Sequence, residues 1–208
     1  MSTAVESIEG FRNPVEYHTP FPRVLSLNLG LLAVLAEFFF PGVVPAFISN
    51  VPFSAGEAVE FLSENRWEVT GFLVFTVVLV LVHELLHAAA HKVNGFDPSY
   101  GVMWVWTWKL PNPVPYIVVL DHPLTRSENI AGLITPLVVL SLIGVIGLLP
   151  VFTPVVVYYA KLLLVLNTAG ASSDIYNLIK VSRYPPGTLF RNVEFDDGIR
   201  TFTYEPEG

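Results

Sequence analysis

Cysteine is absent from this sequence, which removes disulfides, thiolate metal ligands and a cysteine nucleophile together. Any metal site must therefore be built from imidazole and carboxylate. Charge is also scarce. Only 14% of the 208 residues are Asp, Glu, Lys or Arg, against about 25% in an average globular domain. Lysine occurs only at Lys92, Lys109, Lys161 and Lys180. The net charge is −7 and no basic stripe is present, so the chain lacks the footprint of a nucleic-acid partner. The first residues carry Glu6, Glu9 and Glu16 rather than a basic start, with no cleavage pattern of a signal peptide. A retained polar arm is expected over residues 1–23.

Hydrophobic residues make up 52% of the chain, and they are gathered into long runs. About 20 apolar residues cross the hydrocarbon of a bilayer, and four segments approach that length. They cover residues 24–48, 69–90, 129–149 and 154–174. The first is weakened by Glu37, Pro41 and Pro45, and the third contains Pro136. Residues 150–153 alone separate the last two, which predicts a tight antiparallel pair. The expected fold is an all-α membrane protein of about four transmembrane helices, with a small β-hairpin between helices two and three and a short cytoplasmic tail. A membrane domain is expected over residues 24–181, and the tail over 182–208.

Shorter signals fill the gaps. Ser54-Ala-Gly-Glu57 reads as a capping box that opens a short interfacial helix through Leu62. Gly101 to Leu110 alternates, so Trp104, Trp106 and Trp108 share one strand face. The proline-rich stretch 111–115 is expected to turn the chain, with residues 116–120 returning. Such a hairpin serves either as an aromatic belt at the membrane surface or as an edge strand that receives an extended substrate. Residues 189–204 alternate around Asp197-Gly198, a signal for a hairpin with a type I′ turn.

Basic residues set the orientation. Arg12, Arg23, Lys92, Lys109, Arg126, Lys180, Arg183, Arg191 and Arg200 fall on one side, and Arg66 on the other. Both termini are therefore expected in the cytoplasm, in a multi-pass protein of the cell membrane.

His83-Glu84-Leu85-Leu86-His87 closes the second apolar run. Residues i and i+4 share a helix face, so His83 and His87 can offer two imidazoles to one metal ion. Glu84, about 100° round the helix, borders that face and is placed to act as general base. An ionisable residue at mid-membrane costs about 2.5–3.5 kcal/mol on insertion scales, so such residues mark function.

A catalytic zinc needs three protein ligands and an open position. A third His six residues after His87, a spacing some zinc enzymes use, is Val93 here. Asp174, Asp97, Asp121, His91, His122 and Glu37 remain. Asp174 is favoured because, in the expected topology, it ends span four at the cytoplasmic depth of His83 and His87. The small residues of 168–173 also permit close helix approach. Its alternative role is to cap a short helix through Ile179. Asn167 lies seven residues before Asp174, on the same helical face. Its amide either contacts substrate or makes an interhelical hydrogen bond.

The apolar helix ending in His83-Glu-Leu-Leu-His87-Ala, the span with Pro136 and the late Ser173-Asp174-Ile resemble the zincin peptidase family of small integral-membrane proteins. That family is similar to site-2-type intramembrane metalloproteases. The resemblance covers residues 69–181. It implies a zinc metalloprotease with His83, His87 and Asp174 as ligands and Glu84 as the base. Ser173 and Ile175 flank Asp174, where the site-2 proteases carry a Leu-Asp-Gly signature. The reading is a zinc-dependent endopeptidase that hydrolyses peptide bonds within or beside the membrane. Its partners are the lipid bilayer and a membrane-protein or peptide substrate. The alternatives are a non-hydrolytic metal-binding transporter or sensor, and an inactive membrane scaffold.

Overall fold

The computed structural model describes residues 5–50, 54–107, 110–120, 122–195 and 198–207. Helices and strands come in runs along the chain. β1 (Val15–Tyr17) precedes α1 (Phe21–Phe39), α2 (Val43–Asn50), α3 (Ala55–Glu64) and α4 (Arg66–Val93). β2 (Ser99–Thr107), β3 (Leu110–Val118) and β4 (Leu124–Thr125) come next, before α5 (Arg126–Gly147). The chain continues through α6 (Pro154–Gly170), α7 (Ser172–Ser182), β5 (Leu189–Phe195) and β6 (Gly198–Tyr204). The protein is mostly helical, with small antiparallel sheets.

Three helices, α1, α4 and α5, are long and apolar enough to cross a membrane. A fourth span exists if α6 and α7, bent by 50° at their junction, are counted as one. The first expected run is also broken. Pro41 and Gly42, the latter at φ +86, stop α1. The Glu37 carboxylate then accepts the N–H groups of Gly42 at 2.7 Å and Val44 at 3.1 Å. Glu37 is thus tied to the start of α2. Ser54 caps α3 through the expected box with Glu57.

The contacts divide the chain into two compact units, whose boundaries fall within α1, α4 and α5 and after the first residue of α7. One comprises residues 25–83 and 137–172. Its described regular elements are helices, and its outer faces are apolar. Leu73, Val77, Leu81, Leu142 and Ile146 are all more than half exposed, which suits hydrocarbon and not water. Inside it, glycine lets α5 and α6 approach. A Cβ at Gly144 would lie 2.7 Å from Leu164, and one at Gly147 2.7 Å from Ala160.

The other unit comprises residues 1–24, 84–136 and 173–208. A four-stranded antiparallel sheet in the order β1-β6-β5-β4 joins the N-terminal arm to the C-terminal tail. Tyr204 and Phe190 are almost fully buried in its core, and the Tyr204 hydroxyl donates to the carbonyl of Glu6. β1 and β4 have three and two residues, too few for alternation to reveal. β5 and β6 pair Phe195 with Gly198, so residues 196 and 197 connect them, one position earlier than the expected Asp197-Gly198 turn. Those two residues lie outside the described ones. Gly198, at φ +139, takes a backbone conformation that other residues rarely adopt.

β2 and β3 form a two-stranded ribbon in which Pro111, Pro113 and Pro115 pair with Trp106, Trp104 and Val102. The prolines therefore belong to a strand, contrary to the turn expected there. Placed at every second position, they all lack an N–H on the same edge, which a two-stranded ribbon tolerates. Trp108 and Asp121 lie outside the described residues.

Candidate metal centre

The centre begins with α4. Val, Leu and Phe carry the helix through the apolar run without a breaker, and His83, Glu84 and His87 follow in its second half. Their ligand atoms all lie within 4.8 Å of one another along the helix. Each residue is neither buried nor freely exposed.

Two oxygen acceptors orient the imidazoles. His87 Nδ1 lies 2.9 Å from the carbonyl oxygen of Gly132. A carbonyl only accepts, so Nδ1 carries the proton and the lone pair is on Nε2. That carbonyl is available because of Pro136. In a helix the carbonyl of residue i−4 receives the N–H of residue i, and proline has none. Pro136 sits within α5, four residues after Gly132. His87 supplies the donor that the helix lacks.

His83 is held in the same sense. Its Nδ1 lies 3.4 Å from Asn167 Oδ1. The Asn167 NH2 group donates to the carbonyl of Leu137 and to the hydroxyl of Ser141, both at 3.3 Å. Those bonds fix which end of the amide is oxygen, so His83 Nδ1 is the donor and its Nε2 keeps the lone pair. Asn167 is 2% exposed, and its bonds run to His83 and the helices around it. This is the interhelical hydrogen-bond alternative for that residue.

Asp174 lies in the first turn of α7, where a carboxylate is also favoured by the helix dipole. Its Oδ2 is 3.5 Å from His87 Nε2, with side chains 16% and 12% exposed. Two ligands of a tetrahedral zinc, each roughly 2.1 Å from the ion, are separated by roughly 3.4 Å. The donor set fits zinc: imidazole nitrogens with their other N–H anchored, and a carboxylate at ligand spacing. These residues would hold it.

The other candidates lie outside the cluster of His83, Glu84 and His87. Asp97 and His122 are exposed. Glu37 is tied to the start of α2. His91, one turn beyond His87, is 8% exposed, with its ring against Gly132. A Cβ at Gly132 would lie 2.9 Å from His91 Cε1, so glycine there admits the imidazole. Gly132 and Ser141 escaped the sequence reading. The spacing of Pro136 from Gly132 was the available signal.

A cavity of about 240 Å³ opens beside His87 and Asp174. Tyr17, Asn129, Asn177, Asn192 and Thr201 contribute to its wall. Burial raises the Tyr17 phenol well above its usual pKa, with the neighbouring Tyr184 adding to the shift. It therefore remains a donor to Asn177.

A family model described as "Putative zincin peptidase" matches residues 76–189, which is more than half of the chain. Comparison with curated proteins finds no match, and neither does comparison with solved structures.

Proposed function

From the premise that this chain belongs to the zincin peptidase family, we propose that it is a membrane endopeptidase cutting segments embedded in, or adjacent to, the bilayer. The family makes it a zinc metalloprotease, and the three to four apolar helices make it a membrane protein. The observation that carries the reading is the orientation of the imidazoles. Both Nδ1 atoms are directed to oxygen acceptors, which makes Nε2 the coordinating atom of each imidazole in the cluster with Glu84.

We assign His83, His87 and Asp174 as ligands, Glu84 as catalytic base and Asn167 as the residue that positions His83. Zinc bound there would acidify a water and polarise the scissile carbonyl. Glu84 takes a proton from the attacking water and delivers it to the departing amine, so its charge is restored at the end of the cycle. The chain's own contribution is to fix ligand geometry before substrate arrives. Pro136 and Gly132 do so for His87, and Asn167 does so for His83.

We place both termini in the cytoplasm, in a protein of the cell membrane. The pairing of β1 with β6 supports a common side for the two ends, because Val15–Tyr17 lies against Thr201–Thr203 in one sheet. The test of the function is zinc content and peptide cleavage by the purified full-length protein, compared with Glu84→Gln. Zinc at one equivalent with cleavage lost in the variant supports the reading. Cleavage unchanged in the variant refutes it.

A further inference from the structure

The wall of the cavity beside His87 and Asp174 is chemically selective. Apart from the candidate ligands it carries no Lys, Arg, Asp or Glu among the described residues, and three amides and two hydroxyls share the wall with apolar side chains such as Leu133 and Phe190. Several of those groups are already committed, which defines what remains. Asn177 Oδ1 accepts the hydroxyls of Tyr17 at 3.0 Å and Thr19 at 2.9 Å. Its Nδ2 donors have no protein partner among the described residues. Asn192 donates to the carbonyl of Val119 at 3.1 Å and accepts from Thr201 at 2.8 Å, leaving one donor over. The Asn129 amide makes no hydrogen bond among the described residues. His91 Nδ1 is buried and has no partner there either.

Polar groups lining a cavity take partners, from water or from a ligand. We infer that this cavity is the subsite for an uncharged, hydrogen-bonding side chain of the substrate, an amide or a hydroxyl, close to the scissile bond. The inference rests on the peptidase reading and specifies its substrate class. An aliphatic side chain would displace water from these amides and leave them unpaired, which is costly. An acidic one would give up its hydration to a wall that carries no Lys or Arg to pair with it. Polar side chains are also costly to hold in hydrocarbon. The subsite therefore favours a substrate cut beside the bilayer over one cut within it.

The test uses full-length, zinc-loaded protein in detergent micelles. Its probes are otherwise identical short soluble peptides carrying Gln, Leu or Glu at each position in turn. Two quantities are measured: kcat/KM with the wild type, and equilibrium binding to Glu84→Gln. At one position, Gln is expected to exceed Leu and Glu by about tenfold or more in both quantities, as sites built to hydrogen-bond a side chain discriminate strongly. Asn129→Leu breaks no internal hydrogen bond among the described residues and should shrink the Gln-to-Leu ratio to roughly threefold or less. Equal values for Gln and Leu at every position overturn the subsite, as does an unchanged ratio in Asn129→Leu. Failure of the peptidase reading has a different signature: no peptide is cleaved, while the binding series still shows whether the preference for Gln exists.

Discussion

Gly132 accepts the Nδ1–H of His87 at 2.9 Å across two helices. Pro136 makes that relationship durable by removing the helical donor that would otherwise compete for the same carbonyl. A helix defect thus serves as the outer support of a candidate metal ligand, a kind of support whose loss typically costs 10- to 100-fold in metal affinity.

Pro136→Ala returns an N–H to the Gly132 carbonyl. A carbonyl has two lone pairs, so the competition should weaken the His87 bond without abolishing it. We expect zinc affinity to fall by about tenfold, the low end of such effects, while the protein remains folded. Competition titration with a zinc chelator reads the change. Affinity equal to that of the wild type would show that His87 is oriented by something else.

Glu84→Gln separates binding from chemistry. The amide has nearly the same shape but cannot take a proton from water, so zinc content should be retained. Cleavage should drop by about 10²- to 10⁴-fold, the usual contribution of a general base. Elemental analysis and turnover on one preparation provide both numbers. A variant that loses metal along with activity would make Glu84 a ligand and leave the base unassigned.

Asn167→Leu tests the support of His83. The substitution is close in volume and keeps the 2%-exposed position filled, but removes the acceptor at His83 Nδ1 and the donors to Leu137 and Ser141. Zinc affinity should fall by about 10- to 100-fold, with the thermal transition of the metal-free protein shifted much less. A large loss of metal-free stability with unaltered zinc affinity would make Asn167 only a packing residue.

The legible and the hidden parts of this molecule divide by physical cause. His83, Glu84 and His87 were readable because i, i+4 spacing in a helix fixes their common face. Asp174 was singled out from an expected topology, and what is seen of it is that it stands 3.5 Å from His87. Gly132 was not, because its contribution is a backbone carbonyl and glycine has no side-chain chemistry to notice. For Asn167 the helical face gave direction but not the neighbours in space, so substrate contact stayed open beside interhelical bonding. Pro111, Pro113 and Pro115 suggested a turn because proline avoids sheet interiors, yet a two-stranded ribbon has no interior. β1 and β4 are shorter than any period that could announce them.

The orientation in the membrane is testable by reporter fusions at residues 1 and 208. The β1–β6 pairing and the bond from Tyr204 to the Glu6 carbonyl favour the same side for both. The basic residues favour the cytoplasm. A cytoplasm-active reporter should respond at both ends. A signal at one end only would contradict the sheet as well as the charge count.

Asp174 carries the most exposed claim, since 86 residues separate it from His87 in the chain and its place in the first turn of α7 gives it a second use as a helix acid. The two roles predict different responses. As a ligand its charge and reach are both needed, so Asp174→Asn should lower zinc affinity sharply although asparagine is a good residue for a helix start. Asp174→His should retain part of the affinity, because imidazole is a zinc ligand although it suits a helix N-terminus poorly. As a helix acid alone the order reverses: Asn would be tolerated and His would be destabilising, with zinc affinity unaltered in both. Measuring chelator-competition affinity and the metal-free thermal transition for the two variants assigns the carboxylate to one role or the other.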